Sequence, residues 1–243
     1  MNLFAVPFVL ALCGALPRPT AACEIALSLA MDVSGSVDAR EYRLQVEGVA
    51  AALRDPSITD AITQGQVALM VVQWSGAGEQ AIGVPWTRPT DAAGVTRLAA
   101  RVLGMPRAFG GGNTAVGEAI DFAAAQFDLV RDCRRHVIDV SGDGDENEGN
   151  TVGAARRRAQ ARGIAINGLA IEGFAAGLAI TNFYRAWVVT PGGFVVTASQ
   201  HEDFARAMQV KLLRELSAPL ARATEPPDET PGETPGTPAR WLR

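Results

Sequence analysis

The sequence predicts an α/β domain of three layers, α/β/α, with a mostly parallel central sheet and one antiparallel edge strand. Three observations carry that expectation. Short apolar runs alternate along the chain with stretches of helical periodicity. The runs are apolar nearly throughout, as strands covered on both faces are. And 243 residues at 48% hydrophobic composition suffice for one domain with a full core.

The elements follow in order. "CEIALSLAM" reads as the first buried strand. After the loop that follows it, Val46, Val49, Ala50 and Leu53 fall at i, i+3, i+4 and i+7, one face of a helix ending near "RDPS". "QVALMVVQW" (66–74) is a second strand. "QAIGVPWT" (80–87) is a third, antiparallel and near an edge because Pro85 lacks a backbone donor. "DAAGVTRLAARVL" (91–103) is helical, and a loop, "GMPRAFGGGN", leads to a long helix over 114–130 that starts at Thr114. "RHVIDVSG" (135–142) is a strand, 151–163 a helix and "IAINGLAIEG" (164–173) a strand. A short helix near 177–189, a strand at "GFVVTAS" (193–199) and a helix from about 201 to 216 complete the domain, 23–218.

The ends read differently. Residues 1–22 have the form of a secretory signal: "LFAVPFVLALCGAL" is an apolar core, and small residues precede a cut after Ala22. The alternatives are a membrane anchor, for which 14 apolar residues are short, and lipid attachment at Cys23, for which Thr20 stands where Leu is usual. Residues 219–243 form a tail whose last part, "TEPPDETPGETPGTPARWLR", is Pro-rich and acidic, a composition that stays disordered. A periplasmic or secreted protein is expected, with no membrane span after signal cleavage. Cys13 leaves with the signal, and the two remaining cysteines, Cys23 and Cys133, suggest one disulfide in an exported chain. The formal charge is −4 and no basic block occurs, which argues against nucleic acid as a partner.

In a mostly parallel sheet, ligands bind beyond the carboxyl ends of the strands where the strand order reverses. Three loops of unusual composition are expected there. The first is Asp32-Val-Ser34-Gly-Ser36, the second "GGGNT" ending at Thr114, and the third "SGDGDENEG" with Asp143. Each alone suits an ordinary cap or turn, and Ser36 is well placed to cap the following helix. Together they offer hard oxygen donors without His or Cys, a set that suits Mg²⁺, Mn²⁺ or Ca²⁺ and not Zn²⁺. Two carboxylates neutralise a divalent ion, and neutral hydroxyls add ligands while leaving it electrophilic toward a further anionic oxygen.

The same residues carry a resemblance. Asp-x-Ser-x-Ser after the first strand, a Gly-rich loop ending in Thr and a later Asp-Gly resemble the von Willebrand factor type A domain over roughly residues 24–218. "CEIALSLAMDVSGSVD", "VVQWSG", "VPWT" and "CRRHVIDVSGDG" are similar to a secreted bacterial branch, domain-of-unknown-function family 1194. The resemblance implies a Rossmann-like fold and a metal-ion-dependent adhesion site. It carries metal-binding roles onto Asp32, Ser34, Ser36, Thr114 and Asp143, for Mg²⁺ (or Mn²⁺ or Ca²⁺). It leaves one coordination position open for a carboxylate from a partner protein. The third loop departs from the pattern in its acidity: Asp145, Glu146 and Glu148 either strengthen cation attraction or repel an acidic ligand.

The resemblance also makes the first and fourth strands neighbours. Cys23 lies nine residues before Asp32 and Cys133 ten before Asp143, so a Cys23–Cys133 bridge becomes geometrically plausible, two free thiols being the alternative. Asp139, inside a strand, is expected either to support the first loop by a hydrogen bond or to sit on a wet face. Trp74, Trp86 and Trp187 read as core or rim packing rather than a ligand box.

Rival chemistries find less support. A serine hydrolase needs a base. His136 is expected at the far edge of the sheet and His201 at the start of the last helix, neither placed to serve Ser34 or Ser36. No Gly-x-Ser-x-Gly elbow or Gly-Lys-Ser/Thr phosphate loop occurs. The third loop has Ala154 where an EF-hand needs Glu. The expected function is an exported, divalent-metal-dependent, non-enzymatic protein-binding module. The enzymatic alternative is a Mg-dependent hydrolase or phosphotransferase using Asp32.

Overall fold

Strand β1, Ile25–Asp32, is buried along its whole length. It lies at the centre of a computed structural model that describes residues 23–149, 151–173 and 177–223, with side chains through 217. The expected signal at 1–22 and most of the expected tail lie outside the described residues.

Beside β1 run β2 (Ala68–Trp74) and β4 (Arg135–Gly142), both parallel to it. Strand β3 (Gln80–Thr87) pairs antiparallel with β2 at one edge, where Pro85 lies. Strands β5 (Ile164–Ile171) and β6 (Val195–Ala198) extend the other side in parallel, giving the order β3-β2-β1-β4-β5-β6. The chain therefore leaves β1 in one direction and returns at β4 in the other. The strand order reverses between β1 and β4, as a ligand crevice requires.

Alternate residues of each buried strand serve opposite cores. Leu27, Leu29, Met31, Leu69, Val71 and Val137 meet α1 (Ala39–Leu53), α3 (Ala92–Leu103) and α7 (Phe204–Ala223). Ala26, Ala30, Met70, Val72, Ile138 and Val140 meet α4 (Val116–Gln126) and α5 (Val152–Ala161). The short α6 (Ala179–Phe183) runs on as a π-helical turn, Tyr184–Val188, that buries Tyr184 and Val188 in this second core.

Several boundaries differ from expectation. "RDPS" is a break and a restart: Asp55 caps a further helix, α2 (Pro56–Gln64), whose first position takes Pro56 because that position needs no amide donor. Helix α1 is capped by Asp38, not Ser36, in a capping box with Glu41. Helix α4 begins at Val116 with Ala115, which offers no capping side chain of its own, at the N-cap, so Thr114 precedes it. Helix α7 continues to Ala223, past the end expected for it near 216.

The β1–β4 register pairs Ile25 with Arg135, and two residues before each stands a cysteine. Cys23 and Cys133 are disulfide-bonded, with a Cα–Cα distance of 4.4 Å, closing a separation of 110 residues. Asp139 corrects another expectation. It pairs with Leu29 in register and so faces α7, where its Oδ1 lies 2.6 Å from Lys211 Nζ. It therefore meets Lys211, the chain's sole lysine, rather than the first loop or water. Glu215 Oε1 lies 2.8 Å from the same ammonium. Burial, and next to it Glu215, push Asp139 up to about 7, with Lys211 opposing, because two carboxylates share one cation. Among the described residues, no helix is long and apolar enough to cross a membrane.

Candidate metal centre

The three oxygen-rich loops meet at the β1–β4 reversal. Asp32, the last residue of β1, is wholly buried. Its Oδ1 accepts the Ser34 N–H at 2.7 Å, while its Oδ2 has no hydrogen-bond partner among the described residues. Ser34 Oγ lies 3.1 Å from Ser36 Oγ, and Ser36 Oγ donates to Asp143 Oδ1 at 2.6 Å. Ser36 thus spends its hydroxyl on the third loop, and α1, which begins at Ala39, takes Asp38 as its cap. Thr114 is nearly buried, beside Gly144.

Backbone bonds hold the loops together. Gly35 N–H donates to Gly112 O (3.0 Å) and Asn147 N–H to Thr114 O (3.1 Å). Thr114 N–H donates in return to Asn147 Oδ1 at 2.8 Å. Gly112 has φ +115°, a conformation that disfavours any side chain. Arg107 Nη2 donates to the carbonyls of Val33 and Ser34, both at 2.9 Å, and Gln45 Nε2 to that of Asp32.

The acidity of the third loop resolves into separate tasks. Glu146 accepts the N–H groups of Gly117 (2.9 Å) and Val152 (3.0 Å), so one carboxylate caps both α4 and α5. Glu148 Oε2 accepts the Ala77 N–H at 2.7 Å. Asp145 stays exposed. A cleft of about 390 Å³ opens beside this loop, lined by Glu146, Arg157, Phe183 and Trp187, and Trp187 is 54% exposed.

Burial, then the nearby Asp143 charge, push Asp32 up to about 7 from its ordinary 3.8. Tyr184 Oη is also buried without a hydrogen-bond partner among the described residues. A Cβ on Gly142 would stand 2.8 Å from Asp32 Oδ2 and 2.7 Å from the Tyr184 hydroxyl, so glycine keeps this space open. An all-oxygen donor set around a buried carboxylate oxygen with no partner fits a hard divalent cation. Bound there, the ion supplies the positive charge that the buried carboxylate lacks.

Spacing along the chain did not place His201 here. It lies at the start of a 3₁₀ turn, His201–Asp203, after β6, with Nε2 3.8 Å from Asp143 Oδ2 and Nδ1 3.2 Å from Glu41 Oε1. The parallel sheet held the clue: β6 ends at the same edge as β1 and β4, so the turn after it lands beside their loops. His136 lies at the opposite edge, with Nε2 3.3 Å from Val130 O. Tyr184, Arg107 and Asn147 carried no comparable pattern.

A six-stranded, mostly parallel sheet with helices on both faces is the fold of the von Willebrand factor type A domain. Solved structures agree. The "von Willebrand factor type A from Catenulispora acidiphila" is 17% identical, with a TM-score of 0.57, over 82% of this chain and 44% of that one. Proximal thread matrix protein 1 from the mussel byssus, "with zinc occupied MIDAS motif", is 16% identical, with a TM-score of 0.60, over 81% and 48%. The pilus adhesin SpaC from Lactobacillus rhamnosus GG is 14% identical, with a TM-score of 0.59, over 82% and 30%. The chain thus spans less than half of each of these proteins. It belongs to the family described as "Protein of unknown function (DUF1194)", which matches residues 22–220. Among curated proteins none matches.

Proposed function

We propose that this protein is a divalent-cation-dependent protein-binding module that acts outside the cytoplasm and is not an enzyme. Asp32, Ser34, Ser36, Thr114 and Asp143 hold Mg²⁺, or Mn²⁺ or Ca²⁺ in its place, and a partner protein supplies a carboxylate to the ion. The observation that carries this reading is Asp32 Oδ2: buried, without a hydrogen-bond partner among the described residues, at the strand-order reversal. The pilus adhesin and the byssus matrix protein among the structural neighbours support the interaction role. The disulfide supports an oxidising compartment, reached through cleavage of residues 1–22. Complete burial of Asp32 weighs against its use as a phosphoryl nucleophile.

Calorimetric titration of Mg²⁺, Mn²⁺ and Ca²⁺ into the protein and into Asp32→Ala tests the site. One ion bound by the protein and none by the variant is the expected result. Equal binding by both removes the site. Turnover of a phosphoester that disappears with Asp32→Ala overturns the non-enzymatic reading.

A further inference from the structure

We propose that Glu41, Asp143 and His201 form a second cation site, of mixed nitrogen and oxygen donors, beside the all-oxygen cradle. Its ion is one that favours imidazole, such as Zn²⁺. One ligand atom from each of the three residues lies within 4.8 Å of the others. Ligands about 2.0–2.2 Å from a tetrahedral ion stand about 3.3–3.6 Å apart, so side-chain shifts of about 1 Å close the set.

The separate observation is the ring of His201. The residue is 8% exposed, and its buried Nε2 has no hydrogen-bond partner among the described residues. The 3.8 Å to Asp143 Oδ2 is too long for a hydrogen bond and fits two ligands of one ion. Three elements converge to hold this geometry. Glu41 is on the first turn of α1, its Oε2 fixed by the Asp38 N–H at 2.8 Å, and its Oε1 lies 3.2 Å from His201 Nδ1. With the ion on Nε2 this carboxylate orients the ring, and it joins the ligands by a shift within the 4.8 Å grouping. Asp143 follows β4, and His201 follows β6.

Asp143 divides its two oxygens. Oδ1 accepts from Ser36 on the cradle side, while Oδ2 faces His201. A carboxylate so placed bridges two ions, each neutralising part of its charge. The inference rests on the proposed function through Asp143 alone; Glu41 and His201 belong to no other site.

The test titrates Zn²⁺ into the purified oxidised protein, with Asp32→Ala and His201→Gln alongside, and records Co²⁺ absorption and electron–nuclear double resonance on the unmodified protein. The expected results are a nitrogen coupling to Co²⁺, one Zn²⁺ retained by Asp32→Ala, and a loss of more than about tenfold in Zn²⁺ affinity at that site in His201→Gln with Mg²⁺ binding kept. Absence of nitrogen coupling in the unmodified protein overturns the site, as does unchanged Zn²⁺ affinity and stoichiometry in His201→Gln. Zn²⁺ binding that needs His201, in a protein that binds no Mg²⁺, keeps this site and discards the cradle.

Discussion

Asp32→Asn is expected to stabilise the protein in chelator and to abolish its response to Mg²⁺. Raising Asp32 from 3.8 to about 7 corresponds to about 4 kcal/mol in favour of its protonated form. At pH 8 the folded protein carries that cost as a buried anion. Asparagine has the same shape, and its Oδ1 can still accept the Ser34 N–H now held at 2.7 Å. Its NH₂ replaces the partnerless Oδ2, and an unsatisfied buried amide costs about 1–3 kcal/mol. The net gain is therefore about 1–3 kcal/mol, or roughly 2–12 °C in Tm for a domain of this size.

The pH dependence has a definite sign. The folded-state pKa is raised, so between about 4 and about 7 the folded chain holds a proton that the unfolded chain has released. Stability conferred by that proton is lost as pH rises through this window and changes little above it. Asp139, also raised to about 7, acts in the same direction in both proteins, so the difference between them isolates Asp32. Mg²⁺ at a hundred times its Kd adds about 2.7 kcal/mol to the unmodified protein and nothing to the variant. Urea denaturation at pH 5 and pH 8, in chelator and in Mg²⁺, measures all four conditions. A variant less stable than its parent at pH 8 in chelator refutes the reasoning, as does a variant with an undiminished Mg²⁺ shift.

Replacing both Cys23 and Cys133 by Ser is expected to cost roughly 2–5 kcal/mol, read as a lower urea midpoint, because the bridge closes a 110-residue separation. Lys211→Met leaves Asp139 and Glu215 buried without their cation and should cost about 3–5 kcal/mol by the same measurement. Adding Asp139→Asn and Glu215→Gln to Lys211→Met should return most of that loss; a triple variant no better than the single one removes the charge argument.

Local pattern made much of the fold legible. Apolar runs covered on both faces marked β1, β2, β4 and β5, and Pro85 marked the edge strand, because a missing amide donor can be tolerated only there. What escaped was punctuation. "RDPS" looked like a terminus, yet the same Asp and Pro that end one helix can begin another. Ser36 looked like a cap, because spacing alone does not distinguish a hydroxyl bonded to its own helix from one bonded to a loop 107 residues away.

By itself the sequence determined the class of the fold, the oxygen-rich chemistry of three loops and the residues from which a bridge is built. Each is written in residue type and short spacing. Only the tertiary structure decided which groups meet. It placed Asp139 against Lys211 rather than the first loop, turned Glu146 into a cap for two helices, and brought His201 to Asp143. The reason is strand order and the facing of side chains. A parallel sheet gathers loops distant in the chain at one edge, and a pleat sends neighbouring residues to opposite faces. Neither operation leaves a local mark at the residues it joins.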